Sequence, residues 1–229
     1  MKTMKNTVTT LVFLLVAFNA FAQREIVKEL DSFNEIKAFD RIKTILIKSD
    51  KNKVVITGDD QDEVNISLKD GTLKVKMEFD NQMDGGNVTV KVYHSETLTF
   101  IDANEGAKIS SEDTAKGDEV KIAAQEGGTI DLNVDIDNLE VKSTSGAEIT
   151  LTGKATIQEA IANSGGKVYN DKLKTIETKV TVQAGGSASV HASDKMNAKV
   201  RAGGSIYIYG NPKDLERDKV FGGKIRVMD

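Results

Sequence analysis

Few side chains in this sequence combine a reactive type with a useful spacing. The two histidines, His94 and His191, stand far apart, and no HExxH pattern lets two imidazoles share a metal ion. No GxSxG elbow and no phosphate-binding loop occurs. Both histidines are therefore expected at the solvated surface. Four acids, Asp59, Asp60, Asp62 and Glu63, follow Gly58. Calcium takes carboxylate oxygens of this kind, but the spacing is not that of an EF-hand. The segment Gly127-Gly128-Thr129-Ile130-Asp131 also lacks the third glycine of a calcium-binding β-roll. A polar turn is expected at the acids, with no metal and no cofactor. Cysteine is absent, which excludes disulfides, thiolate metal sites and a lipid anchor on an N-terminal cysteine.

Glycines organise the rest of the chain. Gly106, Gly127, Gly146, Gly165, Gly185, Gly203 and Gly222 follow one another at intervals of 21, 19, 19, 20, 18 and 19 residues, and Gly85 extends the series back by 21. Such a fixed period marks stacked repeats. The next place holds only glycine or alanine, from Ala107 to Gly223. Three places after the glycine stand Ile109, Ile130, Ile149, Val168, Ala188, Ile206 and Ile225. Five places before it stand Ile101, Ile122, Val141, Ala160, Val180 and Ala198. Apolar positions two apart on both sides mean a strand, a corner and a second strand. The corner glycine is expected to supply positive φ. Leu139, Ile157, Ile176 and Met196 read as a further apolar position between corners. A β-sandwich also alternates, but nothing in it would hold this interval.

The fold class expected is all-β: a right-handed parallel β-helix, or solenoid, with rungs of about 19–20 residues and an N-terminal β cap. At the spacing of about 4.8 Å between strands, the rungs make a rod roughly 35–40 Å long. Residues 23–84 form the cap and 85–229 the rungs, within one domain. In the cap, 42–47, 54–57, 64–68 and 73–79 read as strands, and Asp70-Gly71 as a two-residue hairpin turn. Residues 1–22 have the layout of a secretory signal peptide. Lys2 and Lys5 precede an apolar run, and Ala20-Phe21-Ala22 offers small residues for cleavage. That run is too short for a permanent span, and no second one follows. The chain has 31 basic and 35 acidic side chains, and residues 1–22 hold two of the lysines and no acid. The exported remainder is thus mildly acidic, which argues against nucleic acid as a partner.

The order of parts resembles the head domain of auto-transporter adhesins, often called the head GIN domain. Phe39-Asp40-Arg41-Ile42 is similar to that family's opening strand, and Asp70-Gly71-Thr72-Leu73 to its hairpin. Serial small-residue corners follow. Ala202-Gly203-Gly204-Ser205-Ile206-Tyr207 with Tyr209-Gly210-Asn211-Pro212 is similar to its closing signature. The resemblance implies an exported bacterial β-solenoid with no established catalytic activity. No stretch resembling a membrane barrel or a sorting domain follows the last repeat, so the periplasm is as much expected as the cell surface. Asp113-Thr114-Ala115 resembles an O-glycosylation acceptor of exported Bacteroidetes proteins.

Function is therefore expected to be binding: an envelope module that meets a glycan or a protein. The alternatives are a structural or assembly element of the envelope and a polysaccharide-acting enzyme. Glycosidases pair carboxylates across a cleft. Asp131, Glu148, Glu159 and Asp171 are outward acids, but no long loop between Gly106 and Gly222 could wall a cleft. The ligand face expected is a pair of outward columns. Tyr169, Tyr207 and Arg226 lie four places after a corner glycine, and Asp171, His191 and Tyr209 lie six places after one. Tyrosine rings suit sugar rings or a protein surface.

Overall fold

The computed structural model describes residues 24–228 except 79, 81 and 82; the signal peptide expected at 1–22 lies outside them. The chain is a parallel β-solenoid of about seven turns. Its strands are β1 (Ile26–Glu29), β2 (Glu35–Ala38), β3 (Lys43–Lys48), β4 (Lys53–Gly58), β5 (Val64–Lys69) and β6 (Thr72–Met77). They continue as β7 (Val88–His94), β8 (Phe100–Ala103), β9 (Lys108–Ala124), β10 (Thr129–Thr144), β11 (Glu148–Asn163) and β12 (Lys167–Asn170). The last are β13 (Leu173–Gln183), β14 (Ser187–His191), β15 (Lys195–Arg201), β16 (Ser205–Tyr209), β17 (Asp214–Val220) and β18 (Lys224–Val227).

From Gly106 onward each rung turns at a two-residue corner in which both residues have positive φ, as a type I′ turn requires. At Ser145-Gly146 the angles are 52° and 74°, and at Ser164-Gly165 they are 49° and 76°. The turn closes with the amide of Ala147 donating to Thr144 (3.1 Å) and that of Gly166 to Asn163 (2.8 Å). Corners also bond to one another: the Gly127 amide donates to Ser145 and the Gly146 amide to Ser164, each at 3.2 Å. The small residue after the corner glycine has a steric reason. A Cβ on Gly166 would stand 2.3 Å from the carbonyl oxygen of Ser143.

On either side of the corner the strands stack in register. Ile130, Ile149, Val168, Ala188 and Ile206 form one inward row, and Ile122, Val141, Ala160, Val180 and Ala198 another. All are buried. Burying each Val or Ile contributes about 1.5–3 kcal/mol relative to exposure. Two of the rungs of 19 residues run without a break, so that β10 and β11 pair from corner to corner. The rung of 21 residues also stays one strand, β9, by taking up a bulge, and the last rung of 19 is interrupted between β16 and β17. The 20-residue rung is interrupted between β12 and β13, and the 18-residue rung between β14 and β15.

Two expectations fail in detail. The inward position between corners lies seven places before the glycine, where Val120, Leu139, Gln158, Thr178, Met196 and Leu215 stand opposite one another. Ile157 and Ile176 miss that column and are exposed, at 43% and 49%. Gly85 is not a corner of the series either. Its φ is not positive, and its rung, β6 with β7, does not pair with the rung of Gly106.

Between those rungs lies an earlier part of the chain. β2 pairs with β6 on one side and β8 on the other, and β3 with β7 and β9, all in parallel. Its corner carries no glycine. Asp40 and Arg41 take φ of 58° and 64°, and the Ile42 amide donates to Phe39 at 3.2 Å. Aspartate visits this region at less cost than most residues. The buried Asp40 carboxylate accepts the amides of Met77 (3.0 Å) and Met83 (3.3 Å), which ties the corner to the rung outside it. Beyond β6 and β7 the parallel pairing ends. β5 lies antiparallel on β6 through the Asp70-Gly71 turn, with φ of 50° and 75°. β4 lies antiparallel on β7, and β1 on β4.

Candidate ligand-binding face

Alternation aims the tyrosines outward. Val168 and Asn170 flank Tyr169, Ile206 and Ile208 flank Tyr207, and all four flanking side chains are buried. Register then aligns them. Tyr169, Ser189, Tyr207 and Arg226 stand opposite one another on β12, β14, β16 and β18. The two rings are thus two strand spacings apart, about 10 Å, with only a serine between them. Tyr169 is 37% exposed, Tyr207 is half-buried and Arg226 is exposed. Lys167 flanks this row in an ion pair with Glu148 (2.6 Å), whose carboxylate raises the lysine above its ordinary range. Rings and a guanidinium on a rigid sheet can hold a flat or anionic surface; the row includes no nucleophile beside a base.

The second expected column does not form. His191 is buried, 8% exposed, rather than outward. Val190, His191 and Ala192 are buried in succession, so alternation is lost where this rung is one residue short of 19. Its imidazole Nδ1 accepts the Thr175 amide (3.4 Å), and its carbonyl accepts the hydroxyls of Thr175 and Thr178. Gly210 of the next rung leaves room for the ring, since a Cβ there would stand 2.5 Å from Nε2. Burial pushes this imidazole below the ordinary histidine range, and Lys174 adds to the effect. Tyr209 lies opposite His191 and is half-buried. Asp171 sits in the turn between β12 and β13, outside any strand. The face that geometry assembles is therefore Tyr169, Tyr207 and Arg226, with Tyr209 at its border.

Several of the other sequence candidates are engaged structurally. Glu159 pairs with Lys179 of the next rung (2.8 Å), as Glu148 does with Lys167. Asp62 pairs with Arg24 (2.9 Å) beside a 3-10 turn at Gln61–Glu63. Among the described residues no three His, Asp or Glu side chains are grouped to hold a metal. Thr114 donates to Asn133 (3.0 Å), and Asp113 accepts the Lys48 amide (2.9 Å). His94 is half-buried, not fully solvated. Its Nδ1 lies 2.8 Å from the Glu96 carbonyl, and burial lowers its pKa. Sequence reasoning missed a cavity beside His94, over Leu46, Leu98 and Ile101. The one signal of it is the 21-residue interval between Gly106 and Gly127.

Architecture and surface define a class: a β-solenoid whose polar outer walls carry rows of side chains. The chain belongs to the family described as putative auto-transporter adhesin, head GIN domain, whose model matches residues 32–212. It is similar to a crystal structure of a putative adhesin from Bacteroides fragilis, with 21% identity and a TM-score of 0.83 over 91% of this chain and 98% of that one. A putative adhesin from Parabacteroides merdae gives 20% identity and a TM-score of 0.66 over 92% and 98%. A protein from Parabacteroides distasonis described as a putative lipid binding protein gives 16% and 0.69 over 92% and 98%. These likenesses concern the fold. No curated protein matches the chain.

Proposed function

We propose that this protein is a non-catalytic, exported binding module of the cell envelope, and that its ligand face is the row Tyr169–Ser189–Tyr207–Arg226. The observation that carries the reading is the register: two rings and a cation share one line on a rigid wall. A preformed wall spends little ordering entropy on binding. The family's description as an adhesin and the adhesin descriptions of its structural neighbours support binding over catalysis. They also support a place at the cell surface or in the envelope, and the layout of residues 1–22 supports their removal on export. The partner chemistry is a glycan or a protein surface able to lie across two rings. Among the described residues no helix is long and apolar enough to cross a membrane.

The test is the Tyr169→Ser, Tyr207→Ser double variant, checked for an unchanged circular-dichroism spectrum. Binding to a glycan array and to solubilised envelope proteins should fall to background. Binding equal to the parent's would exclude this row as the site.

A further inference from the structure

The 21-residue rung places its two extra residues at one point. Asp131 of β10 stands opposite Ser110 of β9, yet Asn133 stands opposite Thr114, so Ser111, Glu112 and Asp113 together face Leu132. Past this bulge Ala115 stands opposite Val134, and Gly117 opposite Ile136. In β10 the side chains of Leu132, Val134 and Ile136 are buried and fill the interior. In β9 the same three positions hold a hydroxymethyl, a methyl and a hydrogen. Val120 and Thr97 close over Gly117, where a Cβ would stand 2.8 and 3.2 Å from their methyls, but beside Ser111 and Ala115 the space stays open. A partly enclosed cavity of about 450 Å³ opens there, over the buried aliphatic side chains of Leu46, Leu98 and Ile101.

Most polar groups of the rim are already engaged. The Lys48 ammonium donates to the carbonyls of Ser95 (2.5 Å) and Glu96 (3.3 Å). The Asp113 carboxylate accepts the Lys48 amide at 2.9 Å. His94 bonds to the Glu96 carbonyl. Lys116 is different: it lines the cavity, is exposed and makes no ion pair among the described residues. The volume is within the range of about 300–1,000 Å³ typical of small-molecule sites. An aliphatic floor without an aromatic ring offers a sugar no stacking platform, whereas it matches a hydrocarbon chain.

We propose that this cavity binds the hydrocarbon chain of a small free amphiphile whose single negative charge pairs with Lys116. The proposal is independent of the tyrosine row, which lies rungs away toward the C-terminal end. The probes are decanoate and its uncharged counterpart decanol, titrated calorimetrically into the full exported chain. The parent should bind decanoate at one saturable site. Ala115→Leu, which fills the cavity, should weaken decanoate by about tenfold or more, the scale of displacing a methylene or two from an apolar pocket. If that variant does not fold, Ala115→Val, which only restores the residue type of Val134, should show a smaller loss in the same direction. Lys116→Gln should weaken decanoate and leave decanol unchanged. The double tyrosine variant should bind decanoate as the parent does, so the two readings can fail separately.

Absence of saturable binding of both probes by the parent would overturn the proposal, as would unchanged affinity in a folded Ala115 variant. Co-sedimentation with phosphatidylglycerol vesicles that Ala115→Leu abolishes, without binding of free decanoate, would move the site to a membrane lipid and overturn it as well.

Discussion

The two ends of the rod are closed by different means. At the N-terminal end the outermost parallel rung, β6 with β7, is covered by chain. β5 lies antiparallel along one strand, β4 and then β1 along the other, and Leu73, Val75, Val90 and Val92 beneath are fully buried. At the C-terminal end the last described rung, β17 with β18, has a neighbour on one side only among the described residues. There the inward rows change character. Arg217 continues the row of Val180 and Ala198, and Lys219 continues that of Val182 and Val200. A charge at an inward position penalises any strand that would add to the edge. One end thus hides its open backbone under chain, and the other makes its apolar rows unattractive to continue.

The sharpest way to break this contrast is to delete the same side chain at both ends. Ile56 of β4 is fully buried, so Ile56→Ala should cost about 2–5 kcal/mol. Ile225 of β18 is only half-buried, and Ile225→Ala should cost far less. Equal losses in urea unfolding would mean that the C-terminal rung is as well covered as the cap. Next in size is the corner. Gly146→Val places a β-branched residue at φ of 74° and should cost about 1–3 kcal/mol. Gly222→Val imposes the same strain at 88° in the last described rung, which can relax, and should lower the melting temperature less. The half-buried, outward control Glu148→Val should fall within about 0.5 kcal/mol of the parent, apart from its lost surface ion pair.

Two smaller effects sharpen the comparison. The Arg217→Val, Lys219→Val double variant gives the open end the residue types of the rungs before it. It should leave the monomer's melting temperature nearly unchanged but produce concentration-dependent dimers in sedimentation velocity. A strictly monomeric variant would remove the protective role of these charges. The last effect concerns acid. His191 has its folded pKa below the ordinary 6.5, so the neutral ring belongs to the folded state. Its contribution is complete above the ordinary value and is lost as pH falls toward the folded one. The melting temperature should drop as the pH falls through and below the ordinary histidine range, and His191→Gln should flatten part of that slope. Part remains because His94 has the same sign. An identical slope in the variant would mean that His191 titrates like a solvated histidine.

Much of this architecture is legible because glycine marks a conformation that few residues adopt. The series from Gly106 to Gly222 located the corners and the register of the tyrosine row. Its limits have the same origin. The residue before each corner glycine also takes positive φ, yet Glu105, Glu126 and Ser145 carry no mark of it. Asp40-Arg41 makes the same corner with no glycine, because the Asp40 carboxylate holds it in place. The insertion of β2 and β3 between later rungs is a long-range pairing that no local pattern encodes. Alternation misplaced His191, Ile157 and Ile176 where a rung departs from 19 residues or where a polar side chain, Gln158 or Thr178, takes the inward place. The cavity over Leu46 shows in the sequence only as the long interval from Gly106 to Gly127, within which small side chains, Ser111 and Ala115, take inward places.

The interleaved rung at Asp40-Arg41 also sets how the rod would carry tension. Bonds between rungs run along the rod axis, so a pull along that axis opens them in sequence, as a zipper opens. The last described rung has one partner and yields first, each rung of 19 residues paying out about 60 Å of chain. β2 and β3 cannot yield in that way, because β6 and β7 clamp them from outside and β8 and β9 from inside. Held at its two ends, the rod would lengthen stepwise from the C-terminal side while the turn of β2 and β3 stayed locked.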